Sequence, residues 1–161
     1  MVEVREVMVK NLSSHIDFMG EFIDDVNTLL AKLLKELRED YNVSREQANV
    51  ILMLENEKAM TLTEITERQG VNKAAVSRRI KKLIQAEVVQ WDKSEENIDQ
   101  RLKYIKLTEK GKQFNKQSKA IINDIVSDIL HDLSDEQIEQ ARYVLEIIDQ
   151  RLKNFITKHN H

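Results

Sequence analysis

The chain has 161 residues, 25 basic and 28 acidic side chains, no cysteine, no proline and only three glycines, Gly20, Gly70 and Gly111. Without cysteine there is no disulfide framework, thiolate nucleophile, thiol redox sensor or Cys-ligated zinc, and scattered glycines exclude the clustered loops that cradle nucleotide phosphates. No apolar run approaches the ~20 residues of a membrane span, and the acid-bearing first fifteen residues lack a signal-peptide core, so the expectation is a cytoplasmic protein, largely helical and mostly one domain.

In chain order, Arg5 to Asp40 predicts one long amphipathic helix. Ile16, Met19, Ile23, Leu30, Leu34 and Leu37 recur at three- and four-residue steps, and Phe22, Val26, Leu29 and Leu33 widen the stripe. Ser44 with Gln47 three residues on predicts a capping box opening a helix through Leu54. Thr61-Leu62 is a strand stub. Thr63 is expected to cap a short helix from Glu64 to Gln69, ended by Gly70 in the left-handed conformation. Asn72 starts a second helix reaching about Ala86. Two helices joined by a tight glycine turn make a helix-turn-helix. Val88 to Trp91 and Leu102 to Leu107 read as strands flanking a polar loop, which together form a wing. Thr108 caps a helix striped by Phe114, Ile121, Ile125, Ile129 and Leu133. Ser134 with Gln137 opens the last helix, striped by Ile138, Ala141, Leu145, Ile148, Leu152 and Phe155. The fold class is mainly α with a small β-wing.

The formal net charge of −3 argues weakly against nucleic acid, but its distribution argues for it. From Arg68 to Ala86 there are six basic residues, Arg68, Lys73, Arg78, Arg79, Lys81 and Lys82, and no acidic one. At about 100° per residue, Val76, Ile80, Leu83 and Ile84 face a core. Ala74, Ala75, Arg78, Lys81 and Lys82 face the other way. Two alanines let the helix approach base edges, where Arg78 can offer its planar fork to guanine O6 and N7. Ser77 lies at the edge of this face, and Lys73 and Arg79 flank it toward phosphates. Thr63, Asn72 and the wing residue Lys93 complete the set expected at DNA. A solvated basic surface is the bland alternative. The preceding turn and the following wing weigh against it.

Asp99-Gln-Arg101, five residues, then Leu107-Thr108-Glu-Lys-Gly111 match the D-x-R…L-T-x-x-G signature, and Leu62 to Ile65 with Val71 to Leu83 is similar to the same family's helix-turn-helix. The chain thus resembles the multiple-antibiotic-resistance regulator (MarR) family along its whole length. The resemblance implies a homodimeric winged-helix repressor of double-stranded DNA. Residues 43–108 would form the DNA-binding region and residues 1–42 with 109–161 the helical dimerisation lobe. It also implies that Arg101 reaches a minor groove from the wing and that Asp99 holds it by a salt bridge. Where the family usually has glycine past the recognition helix, Glu87 stands here. The wing carries Asp92, Glu95, Glu96 and Asp99 against Lys93 and Arg101, so it should contribute position more than attraction.

Members of the family commonly release DNA on binding a small phenolic or drug-like anion between the two lobes. Asn27 places an amide in the first helix's apolar stripe and is the first candidate for such a contact, followed by Asn49, Arg45 and Gln47. A dimer-crossing partner or a buried water would satisfy Asn27 equally. His15, His131, His159 and His161 lack metal-ligand spacing, so neither a metal nor a cofactor is expected. The competing reading is a winged-helix protein-interaction module that has lost DNA recognition. Enzymatic chemistry ranks last, because no nucleophile–base pair is visible.

Overall fold

The structure, a computed structural model, describes residues 2–93 and 102–159. By contacts the chain divides into two compact units, Met1–Asn123 and Asp124–His161. The elements run α1 (Val2–Leu33), α2 (Lys35–Tyr41), α3 (Arg45–Glu57), β1 (Ala59–Thr61), α4 (Leu62–Gln69), α5 (Lys73–Gln85), β2 (Val89–Trp91), β3 (Tyr104–Leu107), α6 (Glu109–Leu130) and α7 (Asp135–His159). The mainly α architecture with a small β-wing agrees with the sequence reading.

Two expectations need correction. The long first helix is interrupted at Leu34, whose φ of −96° and ψ of 4° depart from helix, so α2 is a separate helix of about two turns. Neither glycine nor proline marks the break. Arg38 holds it from a distance, donating from Nη2 to the Ala31 carbonyl at 3.2 Å. Second, the cap of α4 is Thr61, not Thr63. The Thr61 hydroxyl accepts from Glu64 N at 3.2 Å and the Glu64 carboxylate accepts from Thr61 N at 2.7 Å. This reciprocal pair satisfies two first-turn donors, which Thr63 with Thr66 at the same spacing could not do. The caps at Ser44, Asn72, Thr108 and Ser134 are as expected.

The first unit's core gathers Val50, Ile51 and Leu54 of α3, Ile65 of α4, Val76, Ile80 and Leu83 of α5, the strand residues Val89, Ile105 and Leu107, and Phe114 of α6. A three-stranded antiparallel sheet, in the order β1-β3-β2, closes one side. Its register places Met60 opposite Ile105, and Val89 opposite Leu107, so alternate residues of the central strand point into the core. Phe114 meets Tyr41 edge-on with centroids 5.2 Å apart, and buried Asn115 donates to the Ile51 carbonyl at 3.2 Å. These contacts dock α2 and α6 on the first unit's core.

In the second unit α7 buries none of its residues, and Leu145, Leu152 and Phe155 lie open. In the first unit Ile16, Phe22 and Ile23 of α1 are likewise exposed. Apolar stripes of this length are uncommon on monomer surfaces.

Past α5 the chain turns through a Schellman motif. Val88 N donates to Leu83 O at 3.1 Å and Glu87 N to Ile84 O at 3.0 Å. The turn needs a left-handed residue, and Glu87 supplies it with φ of 60°. Close by, Gly111 passes so near β2 that a Cβ would overlap the Val88 carbonyl oxygen. The two positions predict opposite outcomes. Glu87→Gly should stabilise the fold by up to about 1 kcal/mol by relieving left-handed strain, whereas Gly111→Ala should destabilise it by about 1–3 kcal/mol through forced backbone displacement. Paired urea-denaturation curves would check both signs.

Candidate nucleic-acid interface

The interface is built on α4, Gly70 and α5. Gly70 ends α4 at φ 63°, and its N–H donates to Thr66 O at 3.1 Å. Asn72 Oδ1 then accepts from Ala75 N at 2.8 Å and starts α5 two residues later. Val76, Ile80 and Leu83 are fully buried or nearly so. Helical spacing therefore sends Lys73, Ala74, Ser77, Arg78, Lys81 and Lys82 outward, and all six are exposed. Among the described residues, Lys73, Arg78, Lys81 and Lys82 have no carboxylate partner. Thr63 is exposed on the first turn of α4, and Ala75 is half-buried beside the basic face.

Two of the basic residues are engaged elsewhere. Arg68 pairs with Glu57 at 3.0 Å. Arg79 is half-buried and donates from Nη1 to Gln69 Oε1 at 2.6 Å. Its side chain is turned toward α4 and away from the face that Arg78 occupies. In the wing, Lys93 is exposed, and Asp92 is tied back by Lys106 Nζ at 3.2 Å and by its own N–H to Tyr104 O at 2.7 Å. Asp92 is thus one wing carboxylate already compensated at the strand base. Asp99 and Arg101 lie outside the described residues.

A second feature is a cleft of about 220 Å³ among α1, α2, α3 and the first half of α6. Asn27, Arg45 and Asn49 line it as a group, and Arg45 Nη2 donates to the Asn27 carbonyl at 3.4 Å. Asn27 is nevertheless exposed in the single chain, so its amide is not buried as the apolar stripe suggested. Gln47 does not join them. It is buried, and its Oε1 accepts from Ser44 N at 3.0 Å to complete the cap of α3. Sequence reasoning missed Arg38, Asn115, Ser118 and Lys119, which also line the cleft. The legible signal was Asn115 and Ser118 at core-facing steps beside Phe114 in α6. Two cations, Arg38 and Arg45, and a floor of Leu30, Leu34, Phe114 and Ile122 suit an amphipathic anion, while Lys119 Nζ at the same cleft is paired with Glu55 at 3.1 Å.

Together the turn, the two helices and the sheet define a winged helix-turn-helix DNA-binding protein. The domain family described as "ArnR1-like, winged-helix domain" matches residues 39–125. The HTH-type transcriptional regulator TcaR of Staphylococcus aureus (strain Newman) is 55% identical over 148 residues, which cover 92% of this chain and 97% of that one. Among solved structures, a MarR transcriptional regulator from Methanosarcina mazei Go1 superposes with a TM-score of 0.69 at 22% identity, covering 86% of this chain and 99% of that one. A cysteine-to-serine mutant of MarR from E. coli, complexed with operator DNA, superposes with a TM-score of 0.58 at 21% identity, covering 83% and 95%. The chain belongs to the MarR family of winged-helix transcriptional regulators.

Glu46, in the first turn of α3 beside Arg45, has its carboxyl held below the ordinary glutamate range. Its own backbone N–H is the main cause, against an opposing cost of burial; the Ser44 hydroxyl and the guanidinium groups of Arg79 and Arg45 add to the lowering. A depressed folded pKa means that this group's contribution to stability is complete above the unfolded value and disappears as pH falls through the folded one. A carbon-detected NMR titration should therefore give Glu46 a midpoint below the ordinary glutamate range, and Arg79→Ala should move it upward.

Proposed function

We propose that the chain is a homodimeric transcriptional repressor. In this reading it binds pseudo-palindromic duplex DNA with one α5 in the major groove of each half-site and releases it when a small phenolic or antibiotic-like anion occupies the α1–α2–α3–α6 cleft. The observation that carries the reading is the exposed, acid-free basic face of α5 opposite a fully buried apolar face. That is the element and the charge that major-groove recognition requires. Arg78 reads bases there, and Ser77 and Lys73, with Lys81 and Lys82, hold the sugar–phosphate backbone. Thr63, exposed on the first turn of α4, and Asn72, the cap of α5, contact phosphates. Arg101 enters the adjacent minor groove from the wing, braced by Asp99, where a narrow groove concentrates negative potential.

Residues 1–42 and 109–161 serve as the dimerisation region in this proposal, and 43–108 as the DNA-binding region. The exposed stripes of α1 and α7 support it, since a second copy would cover them. A dimer would set two α5 helices about 34 Å apart, one turn of duplex. No helix among the described residues is long and apolar enough to cross a membrane, and the proposed place of action is the cytoplasm.

Three measurements test the reading. Sedimentation at micromolar concentration should give a dimer. Gel shifts against the chain's own upstream region should show Arg78→Ala losing about 1–3 kcal/mol of specific binding and relaxing preference at one position per half-site. Lys82→Ala should weaken binding to every sequence alike and lower the salt slope by about one. Unchanged operator affinity in Arg78→Ala would remove α5 from the groove and favour the protein-interaction alternative. For the cleft, salicylate should weaken operator binding, and Arg45→Ala should reduce that effect several-fold.

A further inference from the structure

The hydrogen bonds at the end of α4 point to a residue that governs recognition without being part of the basic face. Gln69 is the last residue of α4, immediately before the left-handed Gly70. Its side-chain amide works in two directions. Oε1 accepts from Arg79 Nη1 of α5 at 2.6 Å, and Nε2 donates to the Glu46 carbonyl in the first turn of α3 at 3.3 Å. One side chain thus joins three helices through directional bonds, and the Glu46 carboxylate attracts the same Arg79 electrostatically.

Among the described residues, the other side-chain contacts that anchor α5 are apolar. Val76, Ile80 and Leu83 fix how deeply the helix sits, but hydrophobic contacts are non-directional and allow small rotations about the helix axis. Such rotations matter at the DNA side. A guanidinium some 9 Å from the axis moves about 1.5 Å for a 10° turn, enough to lose the two-bond geometry that separates guanine from other bases. Arg79 is the immediate neighbour of Arg78, so fixing one sets the azimuth of the other.

We propose that Gln69 is a specificity-determining positioning residue: by bridging the Glu46 carbonyl and Arg79, it locks the rotational setting of α5. It thereby controls discrimination between sequences more than affinity for DNA as such. Arg79 then acts through Gln69 and not as a phosphate ligand. The inference rests on the reading that α5 enters the major groove.

The test uses the full-length protein and two duplexes of equal length: one selected by the wild-type chain from a randomised pool, and a scrambled version. Affinities are measured at two salt concentrations for the wild type, Gln69→Ala, Gln69→Leu, Arg79→Ala and the Gln69→Ala/Arg79→Ala double variant, with thermal unfolding as a check on folding. Gln69→Leu keeps the methylene packing if Gln69→Ala proves unstable. Both Gln69 variants should lower the selected-to-scrambled affinity ratio about tenfold, with scrambled-duplex affinity and salt slope unchanged. Arg79→Ala should do the same, and the double variant should lose no more than either single one, because both changes remove one contact. An unchanged ratio in the Gln69 variants, additive losses in the double variant, or a salt slope lowered by about one in Arg79→Ala would each overturn the proposal. The last would instead place Arg79 on a phosphate. A wild-type chain that selects no sequence and shifts no duplex would fail the groove reading itself, and this proposal with it.

Discussion

The burial of Val76, Ile80 and Leu83 against α3, α4 and the wing sheet is the constraint on which the exposed basic face of α5 depends. Each such side chain contributes about 1.5–3 kcal/mol when removed from water, so turning α5 around would cost far more than any surface charge could return. Because helical geometry places the basic residues opposite these three, the packing that stabilises the lobe also presents the cations. No separate interaction is needed to expose Arg78, Lys81 and Lys82.

The same geometry resolves the tension between a net charge of −3 and a polyanionic partner. At physiological ionic strength charges are screened over about 8 Å. A phosphate at the α5 surface therefore responds to the lysines and arginines it touches and hardly to acids on distant helices. The nearby acids are also partly occupied. Glu57 is paired with Arg68 and Asp92 with Lys106, which lowers their opposition at the edges of the basic face. The second cleft follows a related logic. Arg38 and Arg45 come from two helices and line an apolar floor, while Lys119 of α6 is compensated by Glu55 at 3.1 Å.

Legibility in the sequence divided along the range of the interactions. Caps at Ser44, Asn72 and Ser134 and the glycine stop at Gly70 could be read because donor and acceptor lie within four residues. The α4 cap at Thr61 is equally legible, since Glu64 stands three residues later and completes a local reciprocal pair. The break at Leu34 was not, because the Arg38–Ala31 bond exists only once the chain has already bent. Gln47 looked like a cleft residue because its capping role and a ligand role call for the same amide. Asn27 looked buried because its stripe is apolar, while the single chain leaves that stripe uncovered.

By itself the sequence determined the order of elements, the core-facing and the exposed basic sides of α5, and the winged helix-turn-helix class. All of these depend on periodicity and on contacts between near neighbours. Only the tertiary structure decided that Arg79 turns to Gln69, that Arg78 has no carboxylate partner among the described residues, and that Arg38 and Lys119 join Arg45 around one cleft. Those outcomes depend on distances between helices far apart in the chain, and no local pattern of residues encodes a distance that packing alone sets.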